Sequence, residues 1–476
     1  MGMKPPICVD LDGTLLRTDL LYESFLVALR RRPWILFLLP FWLAAGRSVL
    51  KRRLALIATE ALDVDSLPAT ADLVDYLRAE KAGGRRIELV SASDQLLVAK
   101  VAGRFGDLFD HVEGSNGTTN LKGTAKAQVL AARHPGGFVY AGDSAIDSDV
   151  WKVAAGAIPV NAALKRRAAI DREASVEAAF GEPLNELKAL RSSLRLHQWA
   201  KNGLIFLPLL LTSTLAQPAV ALAALATFLG FSLVASGTYL LNDLFDLAAD
   251  RRHPTKRLRA LASGRLPVAI GIVAAPLLVV AGLILGALAG IGAFWCLAAY
   301  LCLTLAYSFG VKAMAVVDVV VLGALFTLRL YAGHTLIDNG TPAWLLAFSM
   351  FLFTSLALVK RLVEVRGLEA RGLDAIPGRG YRAGDSGFIE TFGMTTSIAS
   401  VLIFMIYLAV EPVHVVRLTD PEWLWVVPVA IGFWLPRVWL LARRGEVHDD
   451  PVVFALKDPP SLLLGVIALL AILVAA

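Results

Sequence analysis

The sequence predicts a protein of two parts, a globular N-terminal part and an all-α membrane part with nine spanning helices. The 476 residues are 57% hydrophobic and only 18% charged, which is more apolar than a soluble enzyme of ordinary composition. In residues 1–195 polar and apolar residues alternate, whereas apolar runs dominate from Leu204 onward. We therefore predict two domains, at 1–190 and 191–476.

Nine apolar stretches approach the roughly 20 residues that a helix needs to cross a bilayer. The first and last are short, and the fourth and fifth are interrupted by Gly or Lys, so the count carries a margin of one. The stretches lie near 203–216, 219–241, 268–289, 291–309, 315–333, 343–360, 394–411, 422–440 and 460–476.

Lys and Arg collect in three loops, near 251–265, 360–382 and 437–457, while the loops on the other side are almost bare of them. Basic loops face the cytoplasm, and the N-terminal residues lack the pattern of a signal peptide. We therefore predict a bacterial-type inner membrane protein with a cytoplasmic N-terminal domain and a C-terminus on the far side. The net charge of +6 then reflects topology and anionic lipid headgroups, so no nucleic-acid partner is expected.

The first predicted strand, at 7–9, delivers Asp10 and Asp12 into a tight turn. Asp10 at the strand end suits a carboxylate nucleophile, and Asp12 suits an acid and base beside it. A second strand, in the segment IELVSAS, ends at Ser91, whose hydroxyl could hold a phosphate oxygen.

A third strand, in GGFVYAGDSAIDSD, leads to Asp143 and Asp147, two acids suited to a hard cation such as Mg²⁺. Lys126 lies at a predicted helix start and could neutralise a phosphoryl group, a role for which Lys122 is the weaker candidate.

In this order the motifs resemble the haloacid dehalogenase (HAD) superfamily over about residues 5–165. The resemblance implies an α/β Rossmann-like domain with a helical cap at about 19–80. It also implies phosphohydrolase activity and a Mg²⁺ site formed by Asp10, Asp12, Asp143 and Asp147. The alternative is a HAD fold that has kept only a structural role.

The predicted cap contains the stretch RRRPWILFLLPFWLAAGRSVLKRR, which is too short to span a bilayer and is flanked by basic residues. This pattern fits an interfacial helix in the headgroup zone, which would bring the phosphatase pocket to lipid phosphates. A cap helix packed on its own domain is the alternative.

At the end of the second predicted span, Asn242, Asp246 and Asp250 follow i, i+4 spacing, with Asp243 beside them. Acidic residues at the end of a membrane helix are costly and usually mark function. Their oxygens could bind Mg²⁺ and a diphosphate leaving group, with downstream Arg and Lys taking up the remaining charge. An ordinary polar helix end is the alternative.

This stretch resembles the first aspartate-rich motif, NDxxDxxxD, of the UbiA prenyltransferases, whose helical bundle and polyprenyl diphosphate substrates the resemblance implies. The second DxxxD motif of that family is missing. In its place the sequence has Lys360, Arg361 and Glu364, which argues against ordinary prenyl transfer to an aromatic acceptor.

Four segments resemble the decaprenyl-phosphate phosphoribosyltransferases over about residues 190–400: RLHQWAKN, NDLFDLAADRRHPTKRLR, YSFGVKAMAVVDVVVLGALFTLR and the loop VKR…E…GRGYR. The resemblance implies that Asp243, Asp246 and Asp250 hold Mg²⁺ and diphosphate. It also implies contacts with phosphate, ribose or lipid phosphate from Lys201, Asn202, Lys256, Arg257, Lys312, Lys360, Arg361, Tyr381 and Arg382.

The combined prediction is a bifunctional, Mg²⁺-dependent membrane enzyme. One domain would move 5-phosphoribose from phosphoribosyl pyrophosphate to polyprenyl phosphate, and the HAD domain would then remove the 5-phosphate. The product would be a pentose donor for cell-envelope glycans or lipids. One alternative is a UbiA-type enzyme that attaches a prenyl chain to an aromatic or lipid acceptor, with an accessory phosphatase. A transporter or scaffold would explain the spans but not the two metal motifs, and an oligomer remains possible.

Overall fold

The computed structural model describes residues 4–161, 170, 174–212, 214–337, 343–375, 378–410, 420–447, 451–455 and 457–475. The chain forms two compact units. The first comprises Met1–Leu194 together with Tyr239–Pro276, and the second comprises Arg195–Thr238 together with Leu277–Ala476. Ala476, whose side of the membrane the sequence predicts, lies outside the described residues, as does most of the loop before the eighth predicted span.

The first unit is built on a five-stranded parallel sheet of order β3-β2-β1-β4-β5. Because the strand order reverses between β1 and β4, their carboxyl ends open a crevice where ligands of α/β sheets bind. The strands are β1 Ile7–Val9, β2 Ile87–Asp94, β3 His111–Ser115, β4 Val139–Gly142 and β5 Gly156–Pro159.

Helices cover both faces of the sheet because the strands are apolar on both sides. Ile7 and Val9 point into one buried cluster, whereas Cys8 points into another. The helices are α1 Leu20–Arg31, α2 Leu39–Ala44, α3 Arg47–Ala58, α4 Ala71–Ala82, α5 Gln95–Arg104, α6 Thr124–Arg133, α7 Ser148–Trp151 and α8 Glu186–Ser193.

The membrane part is all-α, as predicted, and its long helices are predominantly apolar. The α-helices are α9 Leu207–Leu211, α10 Pro218–Phe245, α11 Leu247–Arg252, α12 Val268–Ala289, α13 Ile291–Phe309, α14 Val317–His334, α15 Ala343–Glu369, α16 Ser386–Val410, α17 Val426–Arg443, α18 Pro451–Ala455 and α19 Pro459–Ala475.

Seven helices of the described chain are long and apolar enough to cross a membrane, so the nine predicted spans are not confirmed. The described residues of the first predicted span, 203–216, include the end of a 3₁₀ helix at Leu196–Phe206, the five-residue α9 with Pro208 in its first turn, and a short 3₁₀ helix at Thr214–Ala216. The last predicted span is the 17-residue α19, which at 1.5 Å per residue falls short of a hydrocarbon core of about 30 Å.

Candidate functional site

Asp10 and Asp12 lie directly after the central strand β1, where the sequence predicts them. The turn between strand and cap depends on Gly13, which has φ +79°. A Cβ at Gly13 would lie 2.3 Å from Oδ2 of Asp143. Glycine therefore lets the loop after β1 approach the acid that follows β4.

A chain of buried polar contacts starts at Asp10. Lys126 Nζ donates to Asp10 Oδ1 at 2.7 Å and to the Tyr140 hydroxyl at 2.8 Å, and that hydroxyl donates to Asp147 Oδ1 at 2.9 Å. Burial raises the pKa of Asp10 to about 6, although the Lys126 charge opposes this shift. The structure thus brings the predicted nucleophile and the predicted phosphate-binding lysine together.

Asp12 has its own set of donors on the other side of the pocket. Its Oδ1 accepts the backbone N–H of Leu20 at 2.8 Å, and its Oδ2 accepts the Ser93 hydroxyl at 2.5 Å. Burial, together with the Asp19 carboxylate, raises the pKa of Asp12 to about 7. A carboxyl group that keeps its proton near neutral pH suits a general acid.

Strand β2 runs to Asp94 and not to Ser91, and this shift affects the predicted phosphate-binding hydroxyl. Ser91 Oγ lies 3.5 Å from Asp12 and accepts the N–H of Ser93 at 3.0 Å. The sequence analysis missed Ser93, which lies two residues further along in the same strand and so faces the same side.

Three carboxylates gather where a divalent cation would bind. Oxygens of Asp10, Asp143 and Asp147 all lie within 4.8 Å of one another. Mg²⁺ prefers such hard oxygen ligands, so these residues fit the ion that the motifs imply.

The cap contributes two basic residues that the sequence analysis did not single out. Lys51 Nζ on α3 donates to the carbonyl of Ala92 at 2.6 Å and to Asn120 Oδ1 at 3.1 Å. Arg52 donates to Asp94 at 3.1 Å. Burial lowers the pKa of Lys51, and the Asp12 and Asp19 carboxylates oppose this effect. The only sequence signal was the basic run KRR at 51–53.

The aspartate-rich motif keeps its helical register across the junction of α10 and α11. The backbone N–H of Asp246 donates to the carbonyl of Asn242, and that of Asp250 to the carbonyl of Asp246, both at 2.8 Å. Asn242 Nδ2 also donates to Asp246 at 3.2 Å. The predicted shared face is therefore present.

Arg259 bridges two acids of this motif. Its Nη1 donates to Asp243 at 3.0 Å and to Asp250 at 2.6 Å, while Lys256 Nζ lies 3.9 Å from Asp250. Arg259 thus lies where the motif predicts Mg²⁺. Its side chain is 29% exposed, so it can move aside and leave both carboxylates to the ion. Arg259 belongs to the downstream basic run that the sequence predicts to take up diphosphate charge, although it was not singled out there.

Within the first unit, this aspartate segment docks on the cap of the hydrolase. Arg251 Nη2 and Glu23 Oε1 are 2.5 Å apart, with 4% and 5% of their side chains exposed. Thr18 donates to the same carboxylate at 2.6 Å. Gly264, with φ +73°, approaches Arg17 so closely that a Cβ would lie 2.3 Å from its carbonyl oxygen. Sequence motifs gave no sign of this contact.

In the second unit, Arg361 is fully buried among protein partners. Its Nε donates to Asp318 at 2.7 Å, Nη1 to Glu364 at 2.5 Å and Nη2 to the Tyr307 hydroxyl at 2.8 Å. The Tyr381 hydroxyl donates to Asp318 at 2.8 Å and accepts the N–H of Val316 at 2.9 Å. Arg361 and Tyr381 therefore order their surroundings, and Asp318 is a buried acid that the sequence analysis missed.

Asn202 belongs to a second polar cluster of this unit. It accepts from Nε of Arg329 at 2.7 Å and donates to Ser232 at 2.9 Å. The Arg329 guanidinium lies 4.8 Å from the ring centroid of Tyr300. Asn202 and Arg329 are 127 residues apart, which explains why no local pattern indicated their pairing.

The remaining predicted contacts differ in exposure. Lys201, Lys312 and Lys360 are half-buried in the second unit, whereas Lys256, Arg257 and Arg382 are exposed. The second unit also contains an apolar cavity of about 200 Å³. Its lining includes Leu207, Leu345, Phe348, Phe404, Leu408 and Val427.

Residues 205–474, more than half of the chain, match the UbiA prenyltransferase family. The chain belongs to the UbiA prenyltransferase family. Residues 7–150 match the haloacid dehalogenase-like hydrolases. Both resemblances are confirmed, and this UbiA-family chain is an integral membrane protein with a hydrolase-like N-terminal domain.

Three relatives are similar to the chain over different shares of its length. An uncharacterized protein of Sinorhizobium fredii, y4nM, is 40% identical over 97% of this chain and 89% of its own length. The nodulation protein NoeC of Azorhizobium caulinodans is 34% identical over 56% of this chain and 87% of its own length. Decaprenyl-phosphate phosphoribosyltransferase of Mycolicibacterium smegmatis is 34% identical over 40% of this chain and 62% of its own length.

Proposed function

We propose that the chain transfers 5-phosphoribose from phosphoribosyl pyrophosphate to polyprenyl phosphate and then removes the 5-phosphate. The product, polyprenyl-phosphoryl ribose, would donate pentose to envelope glycans or lipids. The observation that carries the proposal is the buried Arg361, which is bonded to both Asp318 and Glu364. An arginine so placed competes with a second Mg²⁺, as the missing DxxxD motif also suggests.

The similarity to decaprenyl-phosphate phosphoribosyltransferase supports the same donor and acceptor. Phosphoribosyl pyrophosphate brings a 5-phosphate and the lipid brings another, so this pair needs more cationic groups than a neutral aromatic acceptor does. In the second unit, the candidates for contacts with these phosphate groups are Lys201, Lys312 and Lys360. The apolar cavity lined by Leu207, Phe348 and Phe404 suits an isoprenoid chain.

In the transfer step, an oxygen of the lipid phosphate attacks C1 of the ribose and the bond to the diphosphate breaks. Mg²⁺ held by Asp243, Asp246 and Asp250 would neutralise the leaving diphosphate. Lys256 and Arg259 lie beside these acids and take up negative charge that the ion leaves. No proton transfer is needed, because the attacking phosphate oxygen is already ionised.

In the hydrolase step, an Asp10 oxygen attacks the phosphorus and the ester bond to the ribose 5-oxygen breaks. Asp12, with its raised pKa, gives its proton to that oxygen. Asp12 then removes a proton from water, which attacks the aspartyl phosphate and frees inorganic phosphate. Lys126 holds charge beside Asp10 throughout, and Mg²⁺ at Asp10, Asp143 and Asp147 would screen the phosphoryl oxygens.

Purified protein incubated with Mg²⁺, labelled phosphoribosyl pyrophosphate and polyprenyl phosphate tests the transfer. Asp243→Ala removes one of the acids that hold the diphosphate site, so transfer should fall by about 10²-fold or more. Asp107→Ala, at an exposed acid of the hydrolase, is the matched control and should retain activity. Normal turnover by Asp243→Ala would overturn the assignment.

The second candidate is ordinary prenyl transfer, which family membership favours. The same preparation should then be active with a prenyl diphosphate and an aromatic acid. Activity with that pair alone would replace our proposal by this one.

A further inference from the structure

The cap of the hydrolase exposes a short apolar segment, which we call the apolar cap segment, comprising the 3₁₀ helix Pro33–Phe37 and α2. Trp34, Leu36, Phe37, Phe41 and Leu43 have between 50% and 79% of their surface exposed. Single apolar side chains are common on protein surfaces, but five large ones exposed within ten residues form a continuous patch. Such a patch marks an interaction site.

The other side of the same segment packs on the cap. Ile35 is fully buried, and Leu39 and Trp42 contact a cluster that includes Ala28 and Leu54. The segment is therefore held in place by one face while it presents the other. The sequence left open the alternative of a cap helix packed wholly on its own domain. These exposed side chains do not fit that alternative.

The charges that the chain carries along this segment are all positive, and Arg31 lies 3.5 Å from the exposed Glu60 at the end of the basic stretch. Seven basic residues and no acid lie between Glu23 and Glu60. Five of them are exposed: Arg30, Arg31, Arg32, Arg47 and Arg53. Apolar side chains ringed by arginine match the boundary between acyl chains and anionic headgroups. A second copy of the same face would bring like charges together.

We propose that the apolar cap segment inserts into the anionic membrane surface and presents the phosphatase pocket to phosphomonoesters carried on lipids. The insertion depth would be about 5–10 Å, the usual depth for an interfacial helix. The first unit itself contains the ends of two membrane helices, within Tyr239–Pro276, so the bilayer is close to the hydrolase.

The link to the pocket is α3, which follows the segment directly. Lys51 and Arg52 on this helix bond to Ala92 and Asp94 at the end of β2, beside Ser93 and Asp12. A cap fixed at the headgroups through the segment therefore holds the pocket at the depth of lipid phosphates. The presentation of lipid substrates to the pocket rests on the proposed hydrolase activity, whereas the insertion of the segment does not.

The insertion is tested with full-length protein in nanodiscs that contain phosphatidylglycerol. A nitroxide label is attached at Phe37→Cys or Phe41→Cys in a Cys302→Ser background, because Cys302 is the exposed native thiol. The control is Gly136→Cys, an open position in the turn before β4, at the end of the sheet remote from the pocket. Power saturation should show the first two labels accessible to oxygen and not to an aqueous nickel complex, and the control label the reverse.

Two results would overturn the insertion. Labels at Phe37 and Phe41 that the aqueous complex reaches would show a segment in water. Labels that neither reagent reaches would show a segment covered by protein, such as a partner or a second copy. Both readings are independent of any enzymatic activity.

The lipid-substrate half is tested with Phe37→Glu and its matched control Val153→Glu, another exposed apolar residue of the hydrolase. Phe37→Glu should raise KM for the 5-phosphorylated lipid by about tenfold, the loss expected when one aromatic anchor is removed. It should leave hydrolysis of p-nitrophenyl phosphate unchanged, and Val153→Glu should change neither.

The outcomes separate the two proposals. Inserted labels together with unchanged lipid hydrolysis in Phe37→Glu would overturn the role of insertion in substrate presentation. If wild-type protein hydrolyses neither substrate, the proposed hydrolase activity fails and with it the lipid-substrate half, while the label depths still decide insertion.

Discussion

At the scale of single residues, the hydrolase pocket gives two carboxyl groups different surroundings and therefore different pKa values. Asp10 has a lysine partner, whereas Asp12 has a serine and a backbone N–H and lies near another acid. The pKa of Asp12 is the higher of the two, at about 7 against about 6. The lysine partner of Asp10 and the raised pKa of Asp12 support the proposed roles of Asp10 as nucleophile and Asp12 as acid.

Asp10→Asn should abolish phosphatase activity and leave transfer intact, because an amide is nearly isosteric but a far weaker nucleophile. The 5-phosphorylated lipid should then accumulate, and mass spectrometry distinguishes it from the final product by one phosphate. Asp12→Ala should slow hydrolysis for lack of the acid that protonates the leaving oxygen. If wild type and Asp10→Asn give the same lipid, the hydrolase serves another substrate.

Tyr381 offers a test of positioning against substrate contact. Its hydroxyl joins Asp318 to the N–H of Val316, a β-branched residue held at φ +69°. Tyr381→Phe should destabilise the protein by about 1.5–3 kcal/mol, the range for a hydrogen bond to a charged group. Thermal unfolding of the detergent-solubilised protein measures this, with Tyr331→Phe at a more exposed site as control.

A double-mutant cycle identifies the mechanism. If Tyr381 acts through Asp318, the effects of Tyr381→Phe and Asp318→Asn on stability and on transfer should be clearly less than additive. Additive effects, with the change confined to KM of one substrate, would instead make Tyr381 a direct substrate contact.

At the scale of elements, the cap helix α1 connects the two chemistries of the first unit. Asp12 accepts the N–H of Leu20 at the start of α1, and Glu23 on the same helix pairs with Arg251 of α11. The helix that orients Asp12, the proposed phosphatase acid, thus also supports the aspartate segment that we propose to bind the diphosphate.

Glu23→Gln should therefore destabilise the first unit by about 3–5 kcal/mol, because it leaves the Arg251 charge buried without its ion-pair partner. The swap Glu23→Arg with Arg251→Glu should recover part of this loss. Arg252→Ala is the matched control, since Arg252 pairs with Asp63 but 71% of its side chain is exposed, and such pairs contribute at most about 1 kcal/mol. Equal effects of the two changes on thermal unfolding would contradict a supporting role for the buried pair.

At the scale of the whole molecule, the arginine distribution predicts that the hydrolase and the basic loops face the cytoplasm. Two single cysteines, each in a Cys302→Ser background, test the side of the membrane on which each region lies. Leu258→Cys probes the 251–265 loop, where Leu258 is 67% exposed, and Gly136→Cys probes the hydrolase. A membrane-impermeant maleimide should label both in inverted vesicles and neither in intact spheroplasts. Labelling of either position in spheroplasts would reverse the predicted orientation.

The sequence by itself determined the two families and the motif residues of the two candidate sites, because their signals are local. About ten consecutive residues are enough to recognise a strand that ends in two acids, or a helix end with acids four residues apart. Asp10, Lys126 and the Asp243 motif were found in this way, and the hydrophobic runs predicted the seven long helices.

Tertiary structure decided which polar groups pair across the chain and how long a helix each short apolar run forms. Arg361 pairs with Asp318 across 43 residues, and Arg251 pairs with Glu23 across 228. The ends of the predicted bundle, at 203–216 and 460–476, resemble spans in composition. Among the described residues they form the five-residue α9 and the 17-residue α19, so these two spans are not confirmed. The physical reason is the same in each case: burial and the choice of partner depend on packing between distant segments, which no local pattern records.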